Sequence, residues 1–385
     1  MKKKCLILFK WRIFVNKYLI NKFSKYYHTE CIYLDDFKNE NFSEIVNQIN
    51  DFIKDKKIDI VFFDVDFMKF FNSFFIEKIK NVLKVLFTYD DHSVHEMNAI
   101  TASACDYILS QCPLSVLKYK EKGYQAYWML PENDGNIFKN YNLKKEIDIL
   151  FFGVLSPDRK EFLDYIQNRG LSVKIIGHQG EIKTNDEELI KLISKSKIVL
   201  NLSKSTKNSV TSYHSTDVYK FSYQLKGRVT QAALCGTLCV SEYAPGHEII
   251  FSQNELPTFY TKEQCLNILD ELLKDSNLLS QKTDKFCSKV INFYEEKKNF
   301  EPIFKALDIK NSRKIELISI PFWYLRIVAK QIIVRNIKFS KFLKTILLLG
   351  EVYKLTKNSK IHIKFLVFFE SILNIIWYSA RSIIK

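Results

Sequence analysis

Short apolar runs that alternate with longer amphipathic segments are the feature that most limits how this chain can fold. A run of about five Val, Ile, Leu or Phe residues suits a strand that is buried on both faces. A segment of helical period suits the crossover helix between two parallel strands. This alternation continues from residue 5 to about residue 274 of the 385-residue chain, so the sequence predicts an α/β protein built on parallel sheets.

The first part of the alternation predicts one doubly wound, Rossmann-like domain over residues 1–133. Amphipathic helices are expected between its strands, for example at Phe42–Lys54 and Pro113–Lys122. The opening run MKKKCLILFKW is interpreted as the first buried strand and not as a signal peptide, because its apolar run is short. The expected strands are Cys5–Phe9, Cys31–Leu34, Ile58–Phe63, Val85–Thr88, Tyr107–Leu109 and Ala126–Met129.

A polar stretch at residues 134–147 predicts a linker, after which the pattern restarts and predicts a second Rossmann-like domain over residues 148–310. Two consecutive parallel-sheet domains would face a cleft at the carboxyl ends of their strands. The expected strands are Ile149–Phe152, Val173–Ile176, Ile198–Leu202 and Leu238–Val240. The expected helices are Arg159–Gln167, Asp186–Lys195, Val229–Leu234 and Glu263–Lys274.

Most of the net positive charge lies in the last part of the chain. The formal net charge is +15, and residues 311–385 carry 14 Lys and Arg against three acidic residues. This region predicts basic amphipathic helices that lie on an anionic membrane surface, or that pack on the domains as ordinary surface helices. Its longest stretch without basic residues, Phe365–Ala380, is shorter than the ~20 residues of a spanning helix. No nucleic-acid-binding motif accompanies the charge, so nucleic acid is not an expected partner.

The eight cysteines are scattered, with no CxxC pair and no zinc-type spacing to histidine. They are typical of small buried hydrophobic residues in a reducing compartment. We therefore expect a cytoplasmic protein that is peripherally associated with the inner face of the membrane.

The segment LKGRVTQAALCGTLCVSEYAPGHEIIF, residues 225–251, concentrates turn residues in a chain that has only 10 Gly and 7 Pro. Gly236 suits the left-handed position after a helix, and the loop after the next strand would face the cleft. In that loop Gly246 permits a close backbone approach, and the amides of His247 and Glu248 could bind an anion such as a diphosphate. The alternative is a helix, strand and loop with ordinary turn residues.

The run from Asp148 to Lys274 resembles the nucleotide-binding half of GT-B glycosyltransferases of group 1 (family 4-like), especially the branch of spore-maturation glycosyltransferase-like proteins. The motifs are IDILFFGVLSPDRKEFLDYI, SKIVLNLS and LKGRVTQAALCGTLCVSEYAPGHEIIF. Upstream, FTYDDHSVHEMN and DYILSQCPLSVLKYKEKGYQAYWMLPEND are similar to the first domain of the same branch. The resemblance covers roughly residues 1–300.

The resemblance implies roles for residues at the strand ends of the second domain. Arg159 would neutralise the donor diphosphate with a bidentate guanidinium group, and Arg228 would be a second cation near the phosphates or the sugar. Glu248 would be a catalytic group that faces the donor sugar. The other residues implied on the donor side are Gly153, Ser156, Asn201, Gln231, Gly246 and His247.

In the first domain the resemblance implies cleft residues that follow the strand Val85–Thr88. His92 and Asp91 are the catalytic candidates there, and imidazole suits proton transfer near neutral pH. Capping of a helix by the two aspartates is the alternative. The residues implied are Asp90, Asp91, His92 and His95.

The chain departs from the family pattern at Thr230 and Gln231, where relatives have Phe-Glu. A Gln keeps one acceptor for the ribose hydroxyls but loses a charge-assisted bond worth ~1.5–3 kcal/mol. Tyr223 also stands where many relatives have another Glu. The donor is then held differently, or the site is weakened, or activity is lost.

Two further segments carry polar residues near the expected cleft. Asp64-Val65-Asp66 could hold a divalent metal, but it falls at a strand end and is interpreted as a strand terminus, so no metal site is predicted. The polar segment Ser205–Gln224 is long enough to be a lid over the cleft, or a plain surface insertion.

The resemblance implies a retaining, metal-independent bacterial glycosyltransferase that needs no cofactor beyond its nucleotide-diphosphate sugar donor. Its acceptor would be a glycan or lipid-linked glycan in surface polysaccharide synthesis. The alternative is a non-catalytic GT-B-like protein that binds a glycan or a partner.

Overall fold

A computed structural model describes residues 2–9, 15–37, 42–64, 73–88, 91–129, 133, 135–177, 185–205, 222–295, 301–308, 321, 323–324 and 372. Four sequence predictions lie wholly or partly outside these residues: Asp66 of the Asp64-Val65-Asp66 sequence, Asp90, the greater part of the possible lid, and nearly all of the basic region 311–385. Within the described residues, no helix is long and apolar enough to cross a membrane.

The first sheet has six parallel strands in the order β2-β1-β3-β4-β5-β6. Apolar residues fill both of its faces because helices cover each side; in β1 every residue from Cys5 to Phe9 is buried. The predicted strands are confirmed, with ends that shift by one to three residues. Their bounds are β1 Lys4–Phe9, β2 His28–Tyr33, β3 Ile60–Asp64, β4 Leu83–Thr88, β5 Tyr107–Ser110 and β6 Gln125–Trp128.

Helices connect these strands, and a short 3-10 turn at Leu34–Asp36 follows β2. The helices are α1 Val15–Ser24, α2 Phe42–Lys56, α3 Ser73–Lys78, α4 Asp91–Ala102 and α5 Pro113–Glu121. Of these, α4 begins directly after the described end of β4, so it presents its first residues at the carboxyl edge of the sheet.

The second sheet has five parallel strands in the order β11-β10-β9-β7-β8. The two-residue strand β11 is absent from the sequence prediction because it is too short to show a period. The strands are β7 Ile147–Gly153, β8 Val173–Gly177, β9 Ser196–Asn201, β10 Leu238–Glu242 and β11 Thr258–Phe259. The helices are α6 Pro157–Asn168, α7 Asp186–Ser194, α8 Gly227–Leu234, α9 His247–Ile250, α10 Lys262–Lys274 and α11 Ser276–Glu295.

The helix α12, Glu301–Asp308, corrects one part of the predicted domain organisation. It falls within the predicted second domain, but its apolar face packs on the first sheet. The Phe304 ring lies 4.0 Å from the ring of Tyr26 and 5.6 Å from that of Phe23. The Tyr107 hydroxyl donates to the carbonyl of Ala306 at 3.3 Å. The chain therefore returns to its first domain after completing the second.

All eight cysteines are free and six of them are buried, as expected for small apolar residues. Burial raises the pKa of Cys5 and Cys235 to about 12 each, so these thiols stay protonated and unreactive at neutral pH.

Candidate functional site

Gly153 ends β7 with φ of 131°, a conformation that side chains rarely adopt. A Cβ atom at this position would lie 3.2 Å from Nη1 of Arg228. The glycine therefore leaves room for the Arg228 side chain to cross the end of the strand.

Arg228 lies in the first turn of α8 and points back to the strand ends of the second sheet. Its Nη1 donates to the Phe152 carbonyl at 2.9 Å, and its Nη2 donates to the Leu202 carbonyl at 3.2 Å. The guanidinium carbon lies 5.5 Å from the ring centroid of Phe151, within the range of a cation–π contact. These contacts hold the cation between the ends of β7 and β9.

Arg159 brings a second guanidinium to the same place from α6, and its side chain is buried. Its Nη1 donates to the Val154 carbonyl at 2.9 Å. Its Nη2 donates to the carbonyls of Leu202 at 3.3 Å and Lys204 at 3.0 Å. Because Arg159 and Arg228 share the Leu202 carbonyl, their positive charges lie side by side.

The electrostatics of this arginine pair, Arg159 and Arg228, favour an incoming anion. Burial, followed by the charge of Arg159, lowers the pKa of Arg228 to about 9. Burial also lowers the pKa of Arg159, and the charge of Glu242 partly opposes this shift. Among the described residues, neither guanidinium forms an ion pair with a carboxylate. An anion at this position would relieve both the desolvation and the mutual repulsion.

Glu242, at the end of β10, is a site residue that the sequence reasoning missed. Its Oε2 accepts a hydrogen bond from the Lys204 amide at 2.9 Å, and burial raises its pKa despite that bond. The charge of Glu242 reaches Arg159, but the carboxylate binds backbone instead of closing an ion pair. The signal available in the sequence was its position, since it is the last residue of a strand that ends at the cleft.

Asn201 and Ser156 occupy the same edge with different surroundings. Nδ2 of Asn201 donates to the hydroxyls of Ser203 at 3.0 Å and Ser241 at 2.8 Å, so the amide nitrogen connects β9 to β10.

Ser156 precedes α6 and is buried, and its hydroxyl has no hydrogen-bond partner among the described residues. Its predicted contact with a diphosphate stays a prediction.

Gly246 has φ of 107° and precedes the four-residue helix α9, so the expected turn is present. The close approach that it permits is different from the predicted one. A Cβ atom here would lie 3.2 Å from Cγ of Pro113, the first residue of α5 in the first domain. Gly246 therefore permits a contact between the two domains, because a side chain at this position would collide with the ring of Pro113.

His247 and Glu248 follow this glycine and differ in exposure. His247 is buried, and burial lowers its pKa to about 4, so the ring is neutral near pH 7. Glu248 is exposed and accepts a hydrogen bond from the Tyr243 hydroxyl; this bond raises the pKa of Tyr243 to about 12. Tyr260, 67% exposed, stacks on Tyr243 at 5.0 Å between ring centroids. The sequence reasoning missed both tyrosines, which follow the ends of neighbouring strands.

Asp91 does not line the cleft, which corrects the prediction for this residue. Its carboxylate is fully buried, and each oxygen accepts two hydrogen bonds. A carboxylate saturated in this way holds α4 to β4 and β5, and no substrate can reach it. The donors are Thr88 at 2.9 Å, Ser110 at 2.6 Å, Asn98 at 2.7 Å and Tyr119 at 3.1 Å.

His95 is also buried inside the first domain, which corrects its predicted place on the acceptor side. Its Nδ1 lies 3.7 Å from Oδ1 of Asp91, and its ring lies 4.5 Å from that of Tyr119. His95 lies on the buried side of α4 with Asp91 because the two residues are one helical turn apart and share one face of the helix.

His92 points across to the second domain. Its Nε2 lies 2.7 Å from the Ser205 hydroxyl, beyond the end of β9. The Ser205 amide donates to the Ser222 carbonyl at 2.8 Å, and Lys204 pairs with Tyr223 as an antiparallel bridge. The base of the segment 206–221 is therefore closed, and His92 touches it. The carboxyl edges of the two sheets face each other here, as expected for a GT-B fold.

Residues 159–300 match the family model described as glycosyl transferase-like. Because of this similarity we call the matched region, residues 159–300, the glycosyl transferase-like domain. No curated protein sequence matches the chain. The sub-branch expected from the sequence motifs is not distinguished by this match, which concerns the wider family.

Solved glycosyltransferase structures share the two-sheet fold of this chain. Sucrose-phosphate synthase from Thermosynechococcus elongatus aligns with 80% of this chain and all of its own, at 9% identity and a TM-score of 0.53. HepE from Anabaena, in complex with UDP and glucose, aligns over 80% and 100% of the two chains, at 11% identity and a TM-score of 0.55. A glycosyltransferase from Rickettsia africae aligns over 81% and 100%, at 12% identity and a TM-score of 0.53. The predicted GT-B fold is confirmed.

The glycosyl transferase-like domain departs from its motif at Thr230 for a structural reason. The Thr230 hydroxyl accepts a hydrogen bond from Asn133 at 2.6 Å and donates to the Gly227 carbonyl at 3.1 Å. Asn133 also donates to the Gly227 carbonyl at 3.0 Å. A Phe could not make these bonds, so threonine here ties the interdomain segment to α8. Gln231, the neighbouring departure, is half-buried on the same helix.

No group of His, Cys, Asp and Glu side chains suited to a metal ion occurs in the part of the chain that the structure describes. Asp64 ends β3, as interpreted from the sequence, while its side chain and Asp66 lie outside the described residues.

Proposed function

We propose that this protein is a glycosyltransferase that moves a sugar from a nucleotide-diphosphate donor to a glycan or lipid-linked acceptor. The observation that carries the proposal is the arginine pair, which lies in the glycosyl transferase-like domain and has no carboxylate partner among the described residues. HepE, which has the same fold, binds UDP-glucose, and this supports a nucleotide sugar as the donor.

The chemistry that this site supplies is stabilisation of the leaving nucleoside diphosphate. As the bond between sugar and phosphate breaks, negative charge develops on the diphosphate, next to two cations that are already oriented by backbone carbonyls. Preorganised cations in a dry site can do this without a metal ion. We therefore propose a metal-independent reaction, and retention of configuration at the sugar by analogy with family 4.

The donor-side residues divide by their surroundings. Arg228 and Arg159 would hold the diphosphate, with the hydroxyl of Ser156 as a further donor. Glu248 would act near the sugar, because its carboxylate is exposed and oriented by Tyr243. His92 is the first-domain candidate for proton transfer, since Asp91 and His95 are enclosed.

Binding of donor nucleotides tests the proposal directly. Calorimetry and thermal unfolding with UDP, GDP and their sugars should identify one nucleotide that binds the full chain and stabilises it. Activity with the sugar of that nucleotide should persist in EDTA. Complete loss of activity on chelation would reject the metal-free mechanism, and no binding at millimolar nucleotide would reject the enzyme assignment.

A non-catalytic GT-B-like binding protein is the second candidate, and Gln231 favours it. The variant Gln231→Glu separates the two, since it restores the carboxylate of the family motif. In an active enzyme it should raise donor affinity by about 10- to 150-fold, the scale of one charge-assisted bond of ~1.5–3 kcal/mol. Appearance of transfer activity in the variant alone would mean that the natural chain does not catalyse the reaction.

The basic region 311–385 is proposed to hold the protein on the cytoplasmic face of an anionic membrane. Replacing Lys341, Lys344, Lys354 and Lys357 by Gln in the full chain should weaken binding to vesicles that contain phosphatidylglycerol. Unchanged binding would contradict this localisation.

A further inference from the structure

A groove of about 600 Å³ lies on the first domain between α2 and the turn that joins α3 to β4. Its lining residues include Ile58, just before β3, and Asn81, just before β4. In a parallel sheet the strand starts and strand ends lie at opposite edges. The groove is therefore on the far side of the first domain from the cleft, and no step of the proposed reaction uses it.

Four lysines give this groove its charge. Lys54, Lys57, Lys78 and Lys80 line it and are exposed. Asp51 is the one acidic residue among the described lining residues. The apolar lining residues Val46, Ile53 and Ile58 are each no more than 5% exposed. A ligand would therefore meet ammonium and amide groups together with accessible carbon atoms, which supply more than half of the exposed lining although the Val and Ile side chains are buried.

The groove is rigidly built around Asn50, whose amide bridges its two walls. Nδ2 of Asn50 donates to the Lys78 carbonyl at 3.0 Å, and the Lys80 amide donates to Oδ1 of Asn50 at 3.1 Å. These two bonds fix the turn that carries Lys78 and Lys80 against the helix that carries Lys54. The backbone positions that carry the lysines on the two walls are thus fixed relative to each other.

Two backbone positions in the groove adopt left-handed conformations without glycine. Lys57 has φ of 54° directly after α2, and Asn81 has φ of 60° before β4. Glycine is the usual residue in the left-handed position after a helix, and a residue with a Cβ atom there costs roughly 1 kcal/mol. The Ile58 amide donates to the Ile53 carbonyl at 3.0 Å, so this helix end is closed and Lys57 is held at the rim.

The positive charge of the groove is a local feature, because the rest of residues 1–310 is nearly neutral. Residues 1–310 carry a net charge of only +4, against +11 for residues 311–385. Lys54, Lys57 and Lys80 form no ion pair with any carboxylate that the structure describes. Positive potential is therefore concentrated in a concave site on an otherwise nearly balanced body.

We propose that this lysine groove, lined by Lys54, Lys57, Lys78 and Lys80, binds an anionic glycan chain through the carboxylate or phosphate groups on its sugars. The concave shape and the volume suit a chain segment of a few sugars. The amides of Asn47 and Asn81 can bond sugar hydroxyls, while the lysines neutralise the acidic groups. Without exposed apolar side chains the groove does not suit insertion into a membrane. The proposal rests on the proposed function and extends it, since the groove would be a second binding site for the acceptor, away from the cleft.

The test uses the full chain, without donor, and a hexameric oligogalacturonate as the carboxylated probe, with maltohexaose as the neutral control. Hydrogen exchange should slow in residues 46–58 and 78–81 with the acidic probe alone. The variant Lys54→Gln, Lys57→Gln, Lys78→Gln, Lys80→Gln should bind the probe at least about tenfold more weakly and lose this protection. Equal protection by maltohexaose would overturn the role of charge.

A matched variant separates the groove from the general charge. Replacing Lys160, Lys174, Lys191 and Lys274 by Gln removes the same charge from exposed positions on the second domain and should leave the protection intact. Equal weakening in both variants, or protection elsewhere, overturns the proposal. Loss of phosphatidylglycerol vesicle binding in the groove variant, without loss of the oligosaccharide, would make it a membrane site instead. Nucleotide binding should be unchanged in the groove variant, so failure of the donor site is recognised separately.

Discussion

The two edges that face the cleft treat their charges in opposite ways. On the first domain, the Asp91 carboxylate is enclosed and accepts hydrogen bonds from four side chains. On the second domain, Arg159 and Arg228 lie side by side and donate to neutral carbonyls. The charge on the first domain is therefore neutralised by hydrogen bonds within that domain. The two cations on the second domain have no carboxylate partner among the described residues, and an anionic ligand would be their most favourable partner.

This difference separates a charge that the fold itself neutralises from the two charges that we propose bind the donor. A buried carboxylate with four donors stabilises one arrangement of helix and strands and is costly to disturb. Two neighbouring cations, of which Arg159 is buried and Arg228 is half-buried, are costly in the free protein, and binding of a diphosphate would offset that cost. Charged side chains near the strand ends of the two sheets therefore differ in whether the fold itself neutralises them.

Asp91→Asn should have the largest effect on folding. The amide nitrogen would face hydrogen-bond donors that now meet a carboxylate oxygen, so the free energy of unfolding should fall by about 3–5 kcal/mol. Urea denaturation measures this change, and the exposed Asp164→Asn serves as the control. Nucleotide binding by the folded fraction should be unaffected, and a selective loss of that binding would place Asp91 in the site after all.

Arg228→Gln should have the largest effect on function. Removing one cation from the developing diphosphate charge should lower kcat/KM by about 100- to 1,000-fold, the scale of a lost charge-stabilising donor. Steady-state kinetics measures this, and thermal unfolding shows whether the strand ends remain intact. Arg169→Gln removes an exposed guanidinium that stacks on Tyr165 and is the matched control. Equal kcat/KM values in the two variants would contradict a role for Arg228 in stabilising the diphosphate.

His247 should make the protein less stable in acid. Its folded-state pKa is about 4, below the ordinary value of 6.5, so the unfolded chain binds the proton more readily. The contribution of His247 to stability is intact above pH 6.5 and is lost as the pH falls towards 4. The loss has an upper limit of about 3 kcal/mol.

Urea denaturation of the wild type and His247→Gln from pH 7 to pH 4 measures the contribution of His247 to the free energy of unfolding. The difference in unfolding free energy between the two proteins should narrow or reverse as the pH falls. A difference that does not change with pH would mean that folding leaves the pKa of His247 unchanged.

The contact between His92 and Ser205 should have the smallest effect, because one hydrogen bond contributes about 0.5–1.5 kcal/mol. A double-mutant cycle with His92→Ala and Ser205→Ala should give a coupling of this size in the unfolding free energy. If His92 also transfers a proton, His92→Ala should lower kcat far more than Ser205→Ala does. Equal effects of both variants on kcat would leave the histidine with a positioning role alone.

Much of the fold was predictable because hydrophobic period is a local property. The runs at Cys5–Phe9 and Ile149–Phe152 needed no distant information to be recognised as strands. The donor-side motif was recognisable for the same reason, since the glycine and arginine spacing lies within one continuous segment. The place of α12 was not predictable, because an amphipathic helix shows which face is apolar but not which sheet it covers.

The sequence by itself determined the parallel sheets, the position of the turns and the uneven distribution of charge, since each depends on neighbouring residues. The tertiary structure alone decided which charges are neutralised and which are available. Asp91 meets Tyr119, Gly246 meets Pro113, and His92 meets Ser205 across 113 positions of chain. The energy of a charge depends on everything packed around it, and those neighbours come from segments whose meeting no local pattern records.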